Sequence, residues 1–205
     1  DGDSAMKLVA ARGAQMAIAA KGSDTGMSAV LGGERDVVVA AIHAAGLTAA
    51  NENGAGQIVA AGSLAALAAL AENPPEGSRV RALAVSGAFH TSTMVPAVSH
   101  LAALAASLTT TDPMIPFISN KDGAIVKSGR DVLNRIVGQI AGPVRWDLCM
   151  ARLANCGVTG VIEVPPAGTL AGLVKRAQSE IETFTLKGPE DLSAAREFIA
   201  KHGAN

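Results

Sequence analysis

Apolar and polar positions along the chain change period several times, and each change marks an element. Residues 4–21 place apolar side chains at helical spacing, with Ala5, Leu8, Val9 and Met16 as markers, and Gly22 stops the run. Residues 26–31 read as a short strand, and residues 34–45 as a helix closed by Gly46. A strand over 47–50 follows, then a hairpin-like connection rich in Asn and Gly over 51–56, then a strand over 57–61. Ser63 is placed to cap a helix that runs to Ala71, and residues 80–85 form a fourth strand. The order from Gly26 to Val85 is β-α-β-β-α-β, the split βαβ or ferredoxin-like arrangement.

Beyond His90 the pattern lengthens. Met94, Val98, Leu101, Leu104, Ala105 and Leu108 make one helical stripe. Strands are expected over 116–119 and 124–126 around the turn Asn120-Lys121-Asp122-Gly123, then a helix over 130–139. Pro143 suits the first position of a helix over 144–155. A buried strand over 158–164, a helix over 170–178, a strand over 181–186 and a helix over 189–202 complete the chain. Strands that alternate with helices imply a mostly parallel sheet, but helices outnumber the strands they should cover. The expected fold class is therefore α/β, with an incomplete parallel sheet.

Composition narrows the function. Of 205 residues, 49 % are hydrophobic, with 4 Phe, 1 Trp and no Tyr, which suits close-packed α/β layers. A net charge of −1 gives no electrostatic case for nucleic acid or an anionic membrane as partner. Apolar runs are broken by charges, Pro or Gly well before the ~18 residues of a membrane span. Residues 1–4 do not resemble a signal peptide. Cys149 and Cys156 are read as reduced thiols of a cytoplasmic protein, because seven positions on one helix separate them by about two turns. A Cys149–His catalytic pair has no visible activator.

The residues with most chemical content lie in Val85-Ser86-Gly87-Ala88-Phe89-His90-Thr91-Ser92. A histidine at the end of an apolar run, followed by hydroxyl residues and a long helix, suits a general base at the mouth of a sheet. The plainer alternative is a loop histidine that caps the helix. His43, His100 and His202 are expected on the surface. Arg12 can grip a carboxylate through two parallel hydrogen bonds, or be a surface charge. Asn51, Asn53 and Gln57 cluster at a Gly-rich turn, where Asn also serves turn geometry, and Gln139 ends a helix where it could simply cap it. No Gly-x-Ser-x-Gly elbow occurs in the sequence. The nearest pattern, Gly26-Met27-Ser28-Ala29-Val30, lacks the second Gly.

Taken in order, Arg12-Gly13, Gly26 to Val30, Asn51-Glu52-Asn53, Gly56 to Gly62, Gly87-Ala88-Phe89-His90, Ser119 to Gly123, Gln139, Pro143-Val144-Arg145-Trp146 and Glu163 to Leu170 strongly resemble the malonyl-CoA:acyl carrier protein transacylase family. The resemblance runs from the first residues to about Lys187. It implies a hydrolase-like large subdomain over 1–22 and 87–205, with a ferredoxin-like small subdomain inserted over 23–86. It implies His90 as base, the Gln139 carbonyl holding the imidazole, and Arg12 on the free carboxylate of malonate. Phe89, Asn51 and Asn53 fall to substrate binding. Related acyltransferases that accept an α-methyl branch carry serine at the position of Phe89, which implies a preference for malonyl over methylmalonyl groups. Malonyl-CoA and a phosphopantetheine-bearing carrier protein are the implied substrates, with no further cofactor and no metal. The family's serine elbow has no counterpart here. The resemblance thus covers the C-terminal two-thirds of the enzyme, and the chain alone is expected to be inactive. A separate chain with the N-terminal segment is an implied partner. Alternatives are an acyltransferase fragment of a polyketide synthase and a truncated, non-catalytic binder of carrier protein or acyl-CoA.

Overall fold

The computed structural model describes residues 1–85 and 87–203. Ser86, where the small subdomain was expected to end, lies outside the described residues, as do 204 and 205. Helix α1 (Gly2–Ala20) opens the chain, capped by the Asp1 carboxylate on the Ser4 N–H at 2.8 Å. Strand β1 (Thr25–Gly32), helix α2 (Arg35–Ala44), strands β2 (Thr48–Gly54) and β3 (Gln57–Ser63), helix α3 (Leu64–Glu72) and strand β4 (Ser78–Ala82) follow. These four strands lie in the order β4-β1-β3-β2 and pair antiparallel throughout, which is the ferredoxin-like order. Ser63 caps α3 as expected, its hydroxyl accepting from the Ala66 N–H.

Two faces of this sheet have different fates because side chains alternate along each strand. Val30, Ile58 and Ala60 face α2 and α3, where Val38, Ile42, Leu67 and Leu70 complete a buried cluster. Met27, Val59, Ala61 and Ala50 face the other way and pack on Ala88 and Phe89.

The remaining chain forms α4 (Val95–Ala106), β5 (Phe117–Ile118), β6 (Ile125–Val126), α5 (Gly129–Gly138), β7 (Val144–Arg145), α6 (Trp146–Asn155), β8 (Gly160–Glu163), α7 (Thr169–Ala177), β9 (Glu182–Thr185) and α8 (Leu192–His202). Leu8, Met16 and Ala20 of α1 pack with Leu101 of α4 and Leu133 and Val137 of α5 in a second core. Met150, Leu173, Val174 and Ile181 form a smaller one around α6, α7 and the residue just before β9. Among the described residues, the expected parallel sheet of this half is reduced to the parallel pair β8 with β9, while β7 joins the ferredoxin-like sheet.

Several expectations change. Residues 51–54 belong to β2 and not to a connection, so the hairpin narrows to Ala55 between Gly54 and Gly56, all three with positive φ. Polarity misled there: Glu52 is ion-paired to Arg35 at 2.6 Å on one face while Asn51 and Asn53 alternate onto the other. Residues 144 and 145 are a strand that pairs parallel with Asn51 and Glu52, so the helix begins at Trp146 and Pro143 lies before that strand. The fourth strand ends at Ala82 and not at Val85. His202 is packed, not solvated: it stacks on Phe198 with centroids 4.4 Å apart and pairs with the Thr159 hydroxyl at 3.0 Å.

Candidate active site

A cavity of about 1090 Å³ lies between α1, the second face of the β4-β1-β3-β2 sheet and the loop that carries His90. Arg12, Asn51, Asn53, Phe89 and His90 all line it. Gln139 does not, yet its backbone oxygen lies 2.8 Å from His90 Nδ1. The structure therefore brings every expected site residue to one place.

Each reaches the cavity for a local reason. Arg12 projects from α1 just past the middle of the helix. Asn51 and Asn53 share a face of β2 by the two-residue period, and Asn51 pairs with Val59 on the cavity floor. His90 takes φ +61, the left-handed region that non-glycine residues enter at a cost of about 1–3 kcal/mol. Thr91 steadies the turn by donating its hydroxyl to the Ala88 carbonyl at 2.6 Å. Gly87 lets this loop lie against α1: a Cβ there would stand 2.7 Å from the Ala20 Cβ. Any larger residue at 87 would force this loop and α1 apart.

The electrostatics follow from burial. A carbonyl oxygen only accepts, so the Gln139 contact requires a proton on Nδ1 and leaves the lone pair on Nε2. Burial pushes the His90 pKa below its ordinary 6.5, the Gln139 carbonyl opposes this, and the nearby Arg12 charge adds to the lowering. The imidazole is thus neutral at neutral pH. Burial also lowers the pKa of Arg12, a half-buried guanidinium that makes no ion pair among the described residues. A buried cation with no counter-ion favours an anionic guest.

Three groups escaped the sequence reading. Ser23 and Thr25 line the cavity with hydroxyls 2.8 Å apart, and Thr25 accepts from the Ala88 N–H at 3.1 Å. Their signal was a cluster of hydroxyls directly after the Gly22 stop. Glu163, at the end of β8, accepts from the N–H groups of Gly168, Leu170 and Ala171 at 2.8–2.9 Å and so seats the start of α7, whose Thr169 and Leu170 line the cavity. A lone acid that closes an apolar strand before Gly168-Thr169 was the available clue. Among the cysteines, buried Cys149 has its thiol pushed up to about 11 by desolvation, which removes it as a nucleophile. Ser28 is buried within β1 and does not line the cavity.

Comparison with known proteins gives the site its context. No family model matches the chain. It is 50 % identical over 194 residues to the malonyl CoA-acyl carrier protein transacylase of Mycolicibacterium smegmatis, covering 93 % of this chain and 67 % of that protein. The crystal structure of MCAT from Mycobacterium tuberculosis is similar at a TM-score of 0.88 and 49 % identity, over 94 % of this chain and 64 % of the other. A malonyl-transacylase solved in complex with a type II PKS acyl-carrier protein gives a TM-score of 0.84 at 27 % identity. This chain spans only about two-thirds of the length of such relatives, 63 % for that of Mycobacterium bovis. These neighbours share its α/β fold, hydrolase-like with a ferredoxin-like part, and at half-identity over nearly the whole chain the relationship is one of descent: the chain belongs to the malonyl CoA-acyl carrier protein transacylase family.

Proposed function

We propose that this chain supplies the base and the carboxylate clamp for transfer of a malonyl group from malonyl-CoA to the phosphopantetheine thiol of acyl carrier protein. The observation that carries the reading is the shared cavity: a neutral histidine with its Nε2 lone pair free, beside a half-buried arginine without a carboxylate partner. Arg12 holds the free carboxylate of malonate through its planar fork and turns the thioester towards the histidine. The nucleophile is a serine from a segment this sequence does not contain. His90 Nε2 takes the serine proton as the oxygen attacks the thioester carbonyl. Collapse of the adduct expels the CoA thiolate, which takes the proton back from the imidazolium, and malonate remains as a serine ester. In the second half the phosphopantetheine thiol gives its proton to Nε2 and attacks the ester. The serine oxygen then leaves and recovers the proton, which restores the starting state. The two unpaired thiols suit a reducing compartment, so we place the reaction in the cytoplasm.

Mass spectrometry after incubation with malonyl-CoA tests this. The chain alone should gain no malonyl group. Covalently joined to the N-terminal third of the Mycolicibacterium smegmatis relative, it should form the ester and pass it to carrier protein, and His90→Ala should slow that joined enzyme by about 10² or more. A malonyl adduct on the chain alone, or near-normal rates for His90→Ala, would overturn the proposal.

A further inference from the structure

The amide side chain of Gln139 is buried, with the residue 6 % exposed, and its Nε2 donates two short hydrogen bonds, to the Gly142 carbonyl at 2.8 Å and the Pro143 carbonyl at 2.7 Å. Chemistry forces this orientation, since the flipped amide would set its oxygen against two carbonyl oxygens. Its Oε1 is buried and meets no donor among the described residues. Helix capping does not account for the arrangement. The capping bond at the end of α5 is made by the backbone N–H of Gln139 to the Arg135 carbonyl at 2.9 Å, which any residue except proline provides.

The turn that follows is weakly held by its own backbone. Its internal bonds are long: Ile140 N–H to Val137 at 3.4 Å, Ala141 N–H to Gly138 at 3.3 Å, and Gly142 N–H to Gln139 at 3.4 Å. All three lie beyond the usual range for N–H···O bonds, whereas both side-chain bonds fall within it. The turn also begins with the carbonyl that meets His90. The orientation of that 139–140 peptide plane depends on where residues 140–142 sit. From Pro143 the chain enters β7, which pairs with Asn51 of β2.

We infer that the Gln139 side chain is a positioning element for His90: by clamping the Gly142 and Pro143 carbonyls it fixes the turn so that the Gln139 backbone oxygen keeps the imidazole in its Nδ1–H form. The same clamp ties the acceptor of the histidine to the strand that carries Asn51. The functional meaning of this role rests on His90 acting as the base, but the role itself is a statement about one tautomer and can be read without catalysis.

Nitrogen-15 NMR of the imidazole rings in this chain is the test, because the two ring nitrogens report directly which of them carries the proton. In the unaltered chain neutral His90 should be almost wholly the Nδ1–H form, with the exposed His43 as a reference in the same spectra. Gln139→Met keeps the volume and removes both donors. It should convert His90 to a mixture with a large Nε2–H share and move its titration midpoint down, since an opposing hydrogen bond to the protonated ring is weakened. Gln139→Asn retains the amide but draws it back by one methylene, and the same loss is expected. An unchanged tautomer and midpoint in a folded variant overturns the inference. Failure of both variants to fold also overturns it, since the side chain would then be a requirement of the core. Failure of the proposed reaction would leave the tautomer result untouched.

Discussion

Arg12 and His90 have to be considered together, because each charge disfavours the other and a guest carboxylate removes the conflict. Burial lowers the His90 pKa and the unpaired charge of Arg12 adds to it, so the base stays deprotonated further into acid than an ordinary histidine. On the proposed reading, a malonyl carboxylate on Arg12 would offset the repulsion and the imidazole would gain proton affinity. In the joined enzyme the acid limb of kcat/KM, which reports the free protein, should therefore lie below 6.5 and below the limb of kcat. Arg12→Ala should raise the limb of kcat/KM, cut malonyl transfer by about 10² as a buried carboxylate loses its partner, and leave acetyl transfer much less affected. Arg12→Lys should recover part of the loss, because a point charge cannot make the fork contact. Parallel pH profiles with both donors decide it, and an unchanged malonyl-to-acetyl ratio would return Arg12 to a surface role. Phe89 acts differently. It is half-buried against both the α1 core and the sheet core, so Phe89→Ser should lower Tm as well as widen the cavity. The ratio of malonyl to methylmalonyl rates separates these effects, since a general loss of folded protein scales both donors alike. It should fall by about tenfold, the scale at which one methyl group is discriminated.

Among the elements, α7 depends most on one side chain. Glu163 sits where the first N–H groups of that helix point, an intramolecular use of the anion site at a helix N-terminus. Burial raises its carboxyl pKa, but the bonds from Ala171, Leu170, Gly168 and Thr169 outweigh this and hold it below the ordinary value of 4.5. A depressed carboxyl pKa gives stability that is present above 4.5 and is lost as pH falls through the folded value. Glu163→Gln should cost about 2 kcal/mol, roughly 4–8 °C in Tm at neutral pH. The gap between the two proteins should narrow in acid, as melting curves from pH 7 to pH 3 would reveal. The sequence disclosed such elements unevenly. Helix α3 was legible because Ser63 and an apolar run state start and face together. Strand β2 was half legible, since Asn51-Glu52-Asn53 carries turn chemistry, and its pairing with β3, the Arg35 ion pair and the cavity explain its extended form. Strand β7 was illegible, because what makes residues 144 and 145 a strand is β2, more than ninety positions earlier. Of the site, His90 and Arg12 stood out through the order of motifs. Ser23, Thr25 and the Gln139 amide needed coordinates, since their partners are distant in sequence or are backbone atoms.

For the molecule as a whole, the ferredoxin-like sheet meets the rest of the chain along a seam made by its second face and by β2, which α6, α7 and β7 all adjoin. Ala88 and Phe89 pack on its second face, and β7 joins its edge through only two residue pairs. β1 and β3, by contrast, share seven. Hydrogen exchange should resolve the two, with the amide of Val144 open to deuterium well before those of Val30 and Val59. Equal protection would mean that the seam and the sheet open as one unit. The brevity of that ladder has one more consequence. With only two residue pairs between β7 and β2, little backbone pairing fixes the distance from Asn51 to the histidine's acceptor, so that distance rests on side chains: the Gln139 amide on one side and the Glu52–Arg145 ion pair at 3.5 Å on the other.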